Sequence, residues 1–195
     1  MSDVWFTSDT HFGHRMLIER GYRPFSTVQD MDEALATAWN EIVKPDDVVW
    51  HVGDWSMGGP GWFGRAAGVG WVSQLHGHVH LITGNHDKPW PGNRDAHKHQ
   101  AAWLAAGFKT IQAFARRRIN GQQVLLSHFP YEGDHTDDDR ATQFRLPDLG
   151  LPLLHGHVHE AWKVRGRQIN VGVDVWDFRP VHLDTIATLL PKETP

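Results

Sequence analysis

The chain has 195 residues, 40% of them hydrophobic, and a formal charge of −4 from 19 basic and 23 acidic side chains. That length suits one domain, 1–195, with a substantial core and no linker, and the charge argues against a broad basic surface for long nucleic acid, favouring a small or locally gripped substrate. There is no cysteine, which excludes disulfides and thiolate metal sites, so any cation must sit on His, Asp, Glu or Asn.

Taken in chain order, the N-terminus has no basic stretch followed by an apolar one, and no later run nears the ~20 apolar residues of a membrane span, so a soluble cytoplasmic protein is expected. Val4-Trp5-Phe6-Thr7 reads as a buried strand that stops at Ser8-Asp9 and delivers Asp9 and His11 to its C-terminal end. Ser26-x-x-Gln29 reads as a capping box opening a helix to about Val43, with Met31, Leu35, Ala38, Trp39 and Ile42 on one face. Lys44-Pro45-Asp46-Asp47 ends it. Val48 to Val52 is the second strand, running into Gly53-Asp54, and the strand, helix, strand order implies a parallel pair with a crossover. A short helix is expected around residues 60–75, then a third strand at His80 to Thr83, ending at Gly84-Asn85-His86-Asp87.

Asp95 to Ala106 reads as a helix stopped by Gly107. Thr110 to Ile119 and Gln122 to Ser127 flank Asn120-Gly121, a strong hairpin signal, so an antiparallel ribbon should carry His128 at its end. Leu151 to Leu154 delivers His155-Gly156-His157-Val158-His159, two strands follow around 162–164 and 168–173, and 181–190 is a last helix or strand. The first half thus looks like βαβ and the second like antiparallel sheet. Two packed mixed sheets with helices outside accommodate both.

The chemistry is carried by five short motifs: Asp9-Thr10-His11, Gly53-Asp54, Gly84-Asn85-His86-Asp87, Ser127-His128 and Gly156-His157-Val158-His159. Each offers oxygen or imidazole ligands suited to divalent cations, and each falls where an apolar run ends. Together they describe a two-metal phosphoester-cleaving site, since two cations about 3.5–4 Å apart can address both the attacking and the leaving oxygen. Asp54 is the candidate bridge; Asp9, His11 and His159 would complete one metal and Asn85, His128 and His157 the other. A bridging hydroxide would be the nucleophile. His86 could protonate the leaving oxygen, with Asp87 orienting its ring.

This succession resembles that of the calcineurin-like metallophosphoesterases over about four-fifths of the chain. The resemblance implies a four-layer α/β/β/α sandwich, the ligand assignment above, and two divalent ions, Mn²⁺ first, with Fe, Zn²⁺ or Ni²⁺ as alternatives. His14 and the closing Asn170 to Pro180 segment are similar to those of small stand-alone bacterial and phage members. Where the phosphoprotein phosphatase branch has Asp-Arg-Gly after Gly-Asp, this chain has Trp55-Ser56-Met57-Gly58-Gly59, and its Gly-Asn-His motif ends in Asp87 rather than Glu. The departure implies a phosphodiesterase acting on small phosphodiesters, with 2′,3′-cyclic nucleotides among them.

Other signals have plainer readings. Leu-His-Gly-His-Val-His occurs at 75–80 as well as 154–159, but a strand from His80 to Asn85 puts His80 roughly 16 Å from metals at its far end, so the first copy reads as structural or surface. His51 and His155 read as core histidines, Ser127 carries no acid–base partner, and Asp137 to Asp139 reads as a solvated loop. Arg116-Arg117-Arg118 alternates across a hairpin strand and reads as a solvated edge. His14 is a candidate contact for substrate phosphate, and Trp55 and Trp62 are candidates for a wall stacking on a base or aryl group. The alternatives to the small-molecule phosphodiesterase are a nuclease on short or single-stranded nucleic acid, a phosphomonoesterase, and a metal-binding interaction module without catalysis. Ten tryptophans suit a dimer face or a substrate groove.

Overall fold

Val4–Thr7 (β1), Val48–His51 (β2), His78–Ile82 (β3) and Thr110–Gln112 (β4) run parallel in one sheet, and Val181–His182 (β10) pairs antiparallel with β1 at its edge. The computed structural model describes residues 2–57 and 68–191. A second sheet has the order β5 (Phe114–Ile119), β6 (Gln122–Ser127), β7 (Leu153–His155), β9 (Gln168–Asn170) and β8 (Val164–Arg165), with β5 and β8 antiparallel to their neighbours and β6, β7 and β9 parallel. Two mixed sheets flanked by helices is therefore the architecture, an α/β fold.

Strand alternation explains how the layers hold together. Phe6, Trp50, Val52 and Ile82 point from the first sheet into a cluster shared with Ala115, Val124, Leu126, Leu154 and Ile169 of the second. The opposite face of the first sheet, through Val49, Val79 and Leu81, packs on the helix Val28–Ile42 (α2), which follows the short helix Met16–Glu19 (α1). On α2, Met31, Leu35 and Trp39 recur every four residues and are almost fully buried; each such side chain contributes about 1.5–3 kcal/mol. The helix starts one residue later than the capping box predicts: Thr27 is the N-cap, its Oγ1 accepting from Asp30 N at 3.0 Å. Ala38 and Ile42, expected on the buried face, are only partly covered, while Ala36 and Asp32 are buried.

The predicted helix around residues 60–75 lies largely outside the described residues, as does Trp62; within them, a helical turn at 68–70 runs into a 3-10 turn at Trp71–Ser73. The predicted 95–106 helix is a 3-10 turn at Ala96–Lys98 followed by an α-helix at Gln100–Ala106 (α3), capped by Gly107 at φ 138°. The run 110–119 is not one hairpin arm. It divides around Ala113, so that β4 joins the first sheet and β5 the second, and only β5 forms the hairpin with β6 through Asn120-Gly121, both at positive φ. The C-terminal element is both of the expected types: β10, then the helix Leu183–Leu189 (α4), whose Ile186 closes the cluster between the sheets. No helix among the described residues is long and apolar enough to cross a membrane.

Beyond the strand ends the two sheets are stitched together. Ser8 bridges Gly172, Val173 N donates to Ser8 O at 3.0 Å, and the His128 ring donates from Nδ1 to Val52 O at 2.9 Å. The C-terminal ends of β1, β2, β3, β6 and β7 consequently converge on one edge of the sandwich, the usual place for a site in an open α/β sheet.

Candidate metal centre

The loops leaving β1 and β2 stay zippered past their strands: Asp9 N donates to Gly53 O at 2.9 Å and His11 N to Asp54 O at 3.0 Å. Holding side chains inward from such short loops bends the backbone. Asp9, His11, Asp54, His157 and His159 all take positive φ, between 47 and 72°, a region costing of order 1–3 kcal/mol for each non-glycine residue and concentrated at functional sites. Glycine is needed at two of the motifs for a different reason. A Cβ on Gly84 would strike the Asp54 carboxylate, and one on Gly156 would strike Ser8 Oγ and the Asp9 carboxylate.

These loops bring Asp9, His11 and His159 together with ligand atoms mutually within 4.8 Å, and likewise Asp9, Asp54 and His128. Asp54 is central. Its Oδ1 accepts from His86 N at 2.9 Å, which turns Oδ2 toward His128 Nε2 at 3.3 Å, His11 Nε2 at 3.6 Å and His86 Nε2 at 3.9 Å. Several atoms in this arrangement are buried with no hydrogen-bond partner: His11 Nε2, His128 Nε2 and Asn85 Oδ1. Each such orphan costs roughly 1–3 kcal/mol, and three of the ten among the described residues fall in this one cluster. Two imidazole nitrogens, an amide oxygen and a carboxylate oxygen gathered around Asp54 are donors of the kind that divalent cations take.

The same groups set one another's proton affinity. Burial alone would lower His128, yet the adjoining Asp54 carboxylate outweighs it and holds the imidazole up at about 9. Burial would raise Asp54, but His128 and the neighbouring histidines keep it well below the usual carboxylate range. Asp9 is pushed up by burial, partly offset by His128 and His159. His11 is driven well down by burial, and His14 to about 4 by burial and the neighbouring His86.

A cleft of about 500 Å³ opens onto this cluster, lined among others by His11, His14, Asn85, His86, Arg140 and His159. His86 is one-third exposed on its wall. His14 sits beside His11, with Nδ1 atoms 3.3 Å apart. His157 is placed differently from Asn85 and His128: its Nε2 faces Asp134 Oδ2 at 3.2 Å, leaving Nδ1 as its remaining nitrogen for a cation.

Two predicted roles are corrected. Asp87 does not orient the His86 ring; its fully buried carboxylate accepts from Gly84 N at 2.8 Å, Trp55 N at 2.9 Å and Asp54 N at 3.0 Å, tying the β2 and β3 loops together. Trp55 is not a substrate wall. It is 0% exposed, donates from its indole to Gly68 O, and packs against Phe12, Trp39, His51 and Phe108. His51 and His155 are buried away from the ligand groups: His51 Nε2 meets Thr10 Oγ1 at 3.0 Å, and the His155 ring donates to Gly156 O at 2.7 Å. On β3, His80 Nδ1 contacts Thr110 Oγ1 at 2.9 Å. Arg117 lies over the Trp50 ring at 5.1 Å, on the edge strand β5.

Four residues that the sequence reading passed over support the ligands. Arg23, 1% exposed, grips Asp174 and donates to the carbonyls of Asp9 and Thr10, while Asp174 Oδ2 lies 3.0 Å from His159 Nδ1. Asp134 holds His157 and is itself held by Arg140. Only Asp174 carried a signal, through its place in the 170–180 segment.

Comparison with known proteins places the chain in a family. A family model described as the calcineurin-like phosphoesterase superfamily domain matches residues 3–176. Gene 66 protein of Mycobacterium phage L5 is 44% identical, over 97% of this chain and 95% of its own length, and Gene 66 protein of Mycobacterium phage D29 is 44% identical over 90% of each. In fold, the chain is similar to a crystal structure of a protein of unknown function from Aquifex aeolicus, with a TM-score of 0.71 and 24% identity over 97% of this chain and 100% of that one. Since that family model takes in every loop that meets at the cleft, the chain belongs to the calcineurin-like phosphoesterase superfamily.

Proposed function

We propose that the protein is a binuclear, Mn²⁺-dependent phosphodiesterase acting on small phosphodiesters, 2′,3′-cyclic nucleotides among them. The observation that carries this reading is the set of buried, partnerless atoms, His11 Nε2, His128 Nε2 and Asn85 Oδ1, in the ligand cluster around Asp54 and beside an open cleft. Asp54 would be shared between two cations, with Asp9, His11 and His159 on one and Asn85, His128 and His157 on the other. When bound, such a pair supplies an activated water nucleophile and neutralises charge on the phosphoryl group.

The chain's own residues do the rest. His86 is fixed by its backbone bond to Asp54 and exposes its ring to the cleft; it holds the proton given to the departing alkoxide. His14 abuts His11 and faces the same space, where it steadies the substrate. Among the described residues directly after Asp54, namely Trp55, Ser56 and Met57, none is basic, so none there grips a dianion.

One observation favours a second reading, phosphomonoester hydrolysis: Arg20 and Arg140 both line the cleft and can replace the arginine missing after Asp54. The discriminating experiment is hydrolysis of bis(p-nitrophenyl) phosphate beside p-nitrophenyl phosphate, by chelator-stripped protein before and after Mn²⁺ is restored. Metal-dependent cleavage favouring the diester is expected. Preference for the monoester would transfer the assignment to the second reading.

A further inference from the structure

The two histidines of His157-Val158-His159 are each backed by an aspartate, and each aspartate is gripped through two guanidinium nitrogens of an arginine. Behind His159 stands Asp174, 3.0 Å from the ring and held by Arg23 at 2.7 and 3.0 Å. Behind His157 stands Asp134, 3.2 Å from the ring and held by Arg140 at 2.9 and 3.1 Å. A carboxylate on the far nitrogen of a ligating imidazole fixes its tautomer and ring orientation, and loss of such a partner typically weakens metal binding 10–100-fold.

The two devices are built unequally. Arg23 and Asp174 are 1% and 7% exposed, and the same guanidinium holds the carbonyls of Asp9 and Thr10, so one buried group fastens three parts of the Asp9, His11 and His159 set. Arg140 is 49% exposed and belongs to a run, residues 135–140, that is exposed throughout. The Asp134 carboxylate is itself buried, but a pair whose arginine is half exposed and holds no backbone of the ligand loops is the weaker fastener, and Arg140 also forms part of the cleft wall.

We infer that Asp134 and Arg140 are positioning residues for His157 and that the protein loads its cations in order. The cation on Asp9, His11 and His159 binds first and tightly, and the cation on His157 binds second and exchangeably, under control of the 134–140 loop. This rests on the binuclear reading above, but it concerns binding, not turnover.

The test is a Mn²⁺ titration of the chelator-stripped full chain by calorimetry, repeated with Co²⁺ while the visible spectrum is followed. Two steps separated by at least about tenfold are expected. Asp134→Asn should weaken the second step about 10–100-fold, change the Co²⁺ spectrum only at the second equivalent, and leave the first step within about threefold. Arg140→Ala, at an exposed position, should weaken the second step less, and Arg140→Lys should restore part of the loss. Asp174→Asn should strike the first step instead. Equal weakening of both steps by Asp134→Asn, or no change in the second, would overturn the inference. Stepwise loading without hydrolysis of any phosphoester would sink the enzymatic reading and leave this one standing, whereas no metal binding at all would end both.

Discussion

Replacing Asp87 by asparagine separates two roles for a residue beside the proposed acid. In the structure its Oδ2 accepts from Gly84 N and Asp54 N, and its Oδ1 from Trp55 N. An asparagine side chain can turn its oxygen to the first pair, but its NH₂ then faces the Trp55 N–H, leaving one buried donor unpaired. That costs about 1–3 kcal/mol. For a chain of this size each kcal/mol moves Tm by about 2–4 °C, so a fall of roughly 2–12 °C is expected. Thermal unfolding followed by circular dichroism in chelator measures it, with metal content and turnover measured on the loaded protein below the transition. The Tm should fall, with metal binding reduced through the displaced Asp54 loop. An unmoved Tm with normal metal content and lost turnover would refute the reasoning and return Asp87 to orienting His86.

Further expectations follow from the same geometry. His86→Ala should lower kcat about 10²–10⁴-fold while leaving two cations bound; metal content that falls with activity would make His86 a ligand rather than an acid. Gly156→Ala adds a methyl against Ser8 Oγ and the Asp9 carboxylate, an overpacking worth about 1–3 kcal/mol, and should weaken the tighter cation step in calorimetry; wild-type affinity would contradict the packing described. In the metal-free protein two shifts work in the same direction with pH. Burial and Asp54 raise Asp87 from 3.8 to about 7, and Asp54 holds His128 above its ordinary 6.5 at about 9. A raised folded-state pKa means that the native state binds the proton more tightly, so stability falls from pH 3.8 to 7 through Asp87 and from 6.5 to 9 through His128. Below pH 6.5 the lowered histidines, His11 and His14 among them, act in the opposite direction, so Tm in chelator should decline from about pH 7 to 9, and Mn²⁺ should bind more tightly at pH 8 than at 6 because it must displace the His128 proton; a pH-independent affinity would contradict this.

The site was more legible in the sequence than its supports. Apolar runs ending at Asp9, Asp54, Asn85, His128 and His157 reveal strand termini, and parallel strands that share one C-terminal edge bring those residues together without further information. Arg23 and Asp174 form a single unit but lie 151 positions apart; Asp174 sits in the 170–180 segment but Arg23 in no pattern, so only the fold can pair them. The same is true of Trp55: a glycine-rich neighbourhood reads as exposed loop, whereas the first sheet and α2 close over its ring. The division of the hairpin arm is not legible because residues 110–119 read as strand throughout, and sequence alternation does not say where a chain passes from one sheet to another.

The binuclear centre itself is tested most directly by a crystal structure of the full chain with Mn²⁺, phased on the metal's anomalous scattering. The account predicts two peaks about 3.5–4 Å apart, one on either side of the Asp54 carboxylate, the first on Asp9, His11 and His159 and the second on Asn85, His128 and His157. A single peak, or a pair centred on Asp134 and His135 with Asp54 left unliganded, would contradict it.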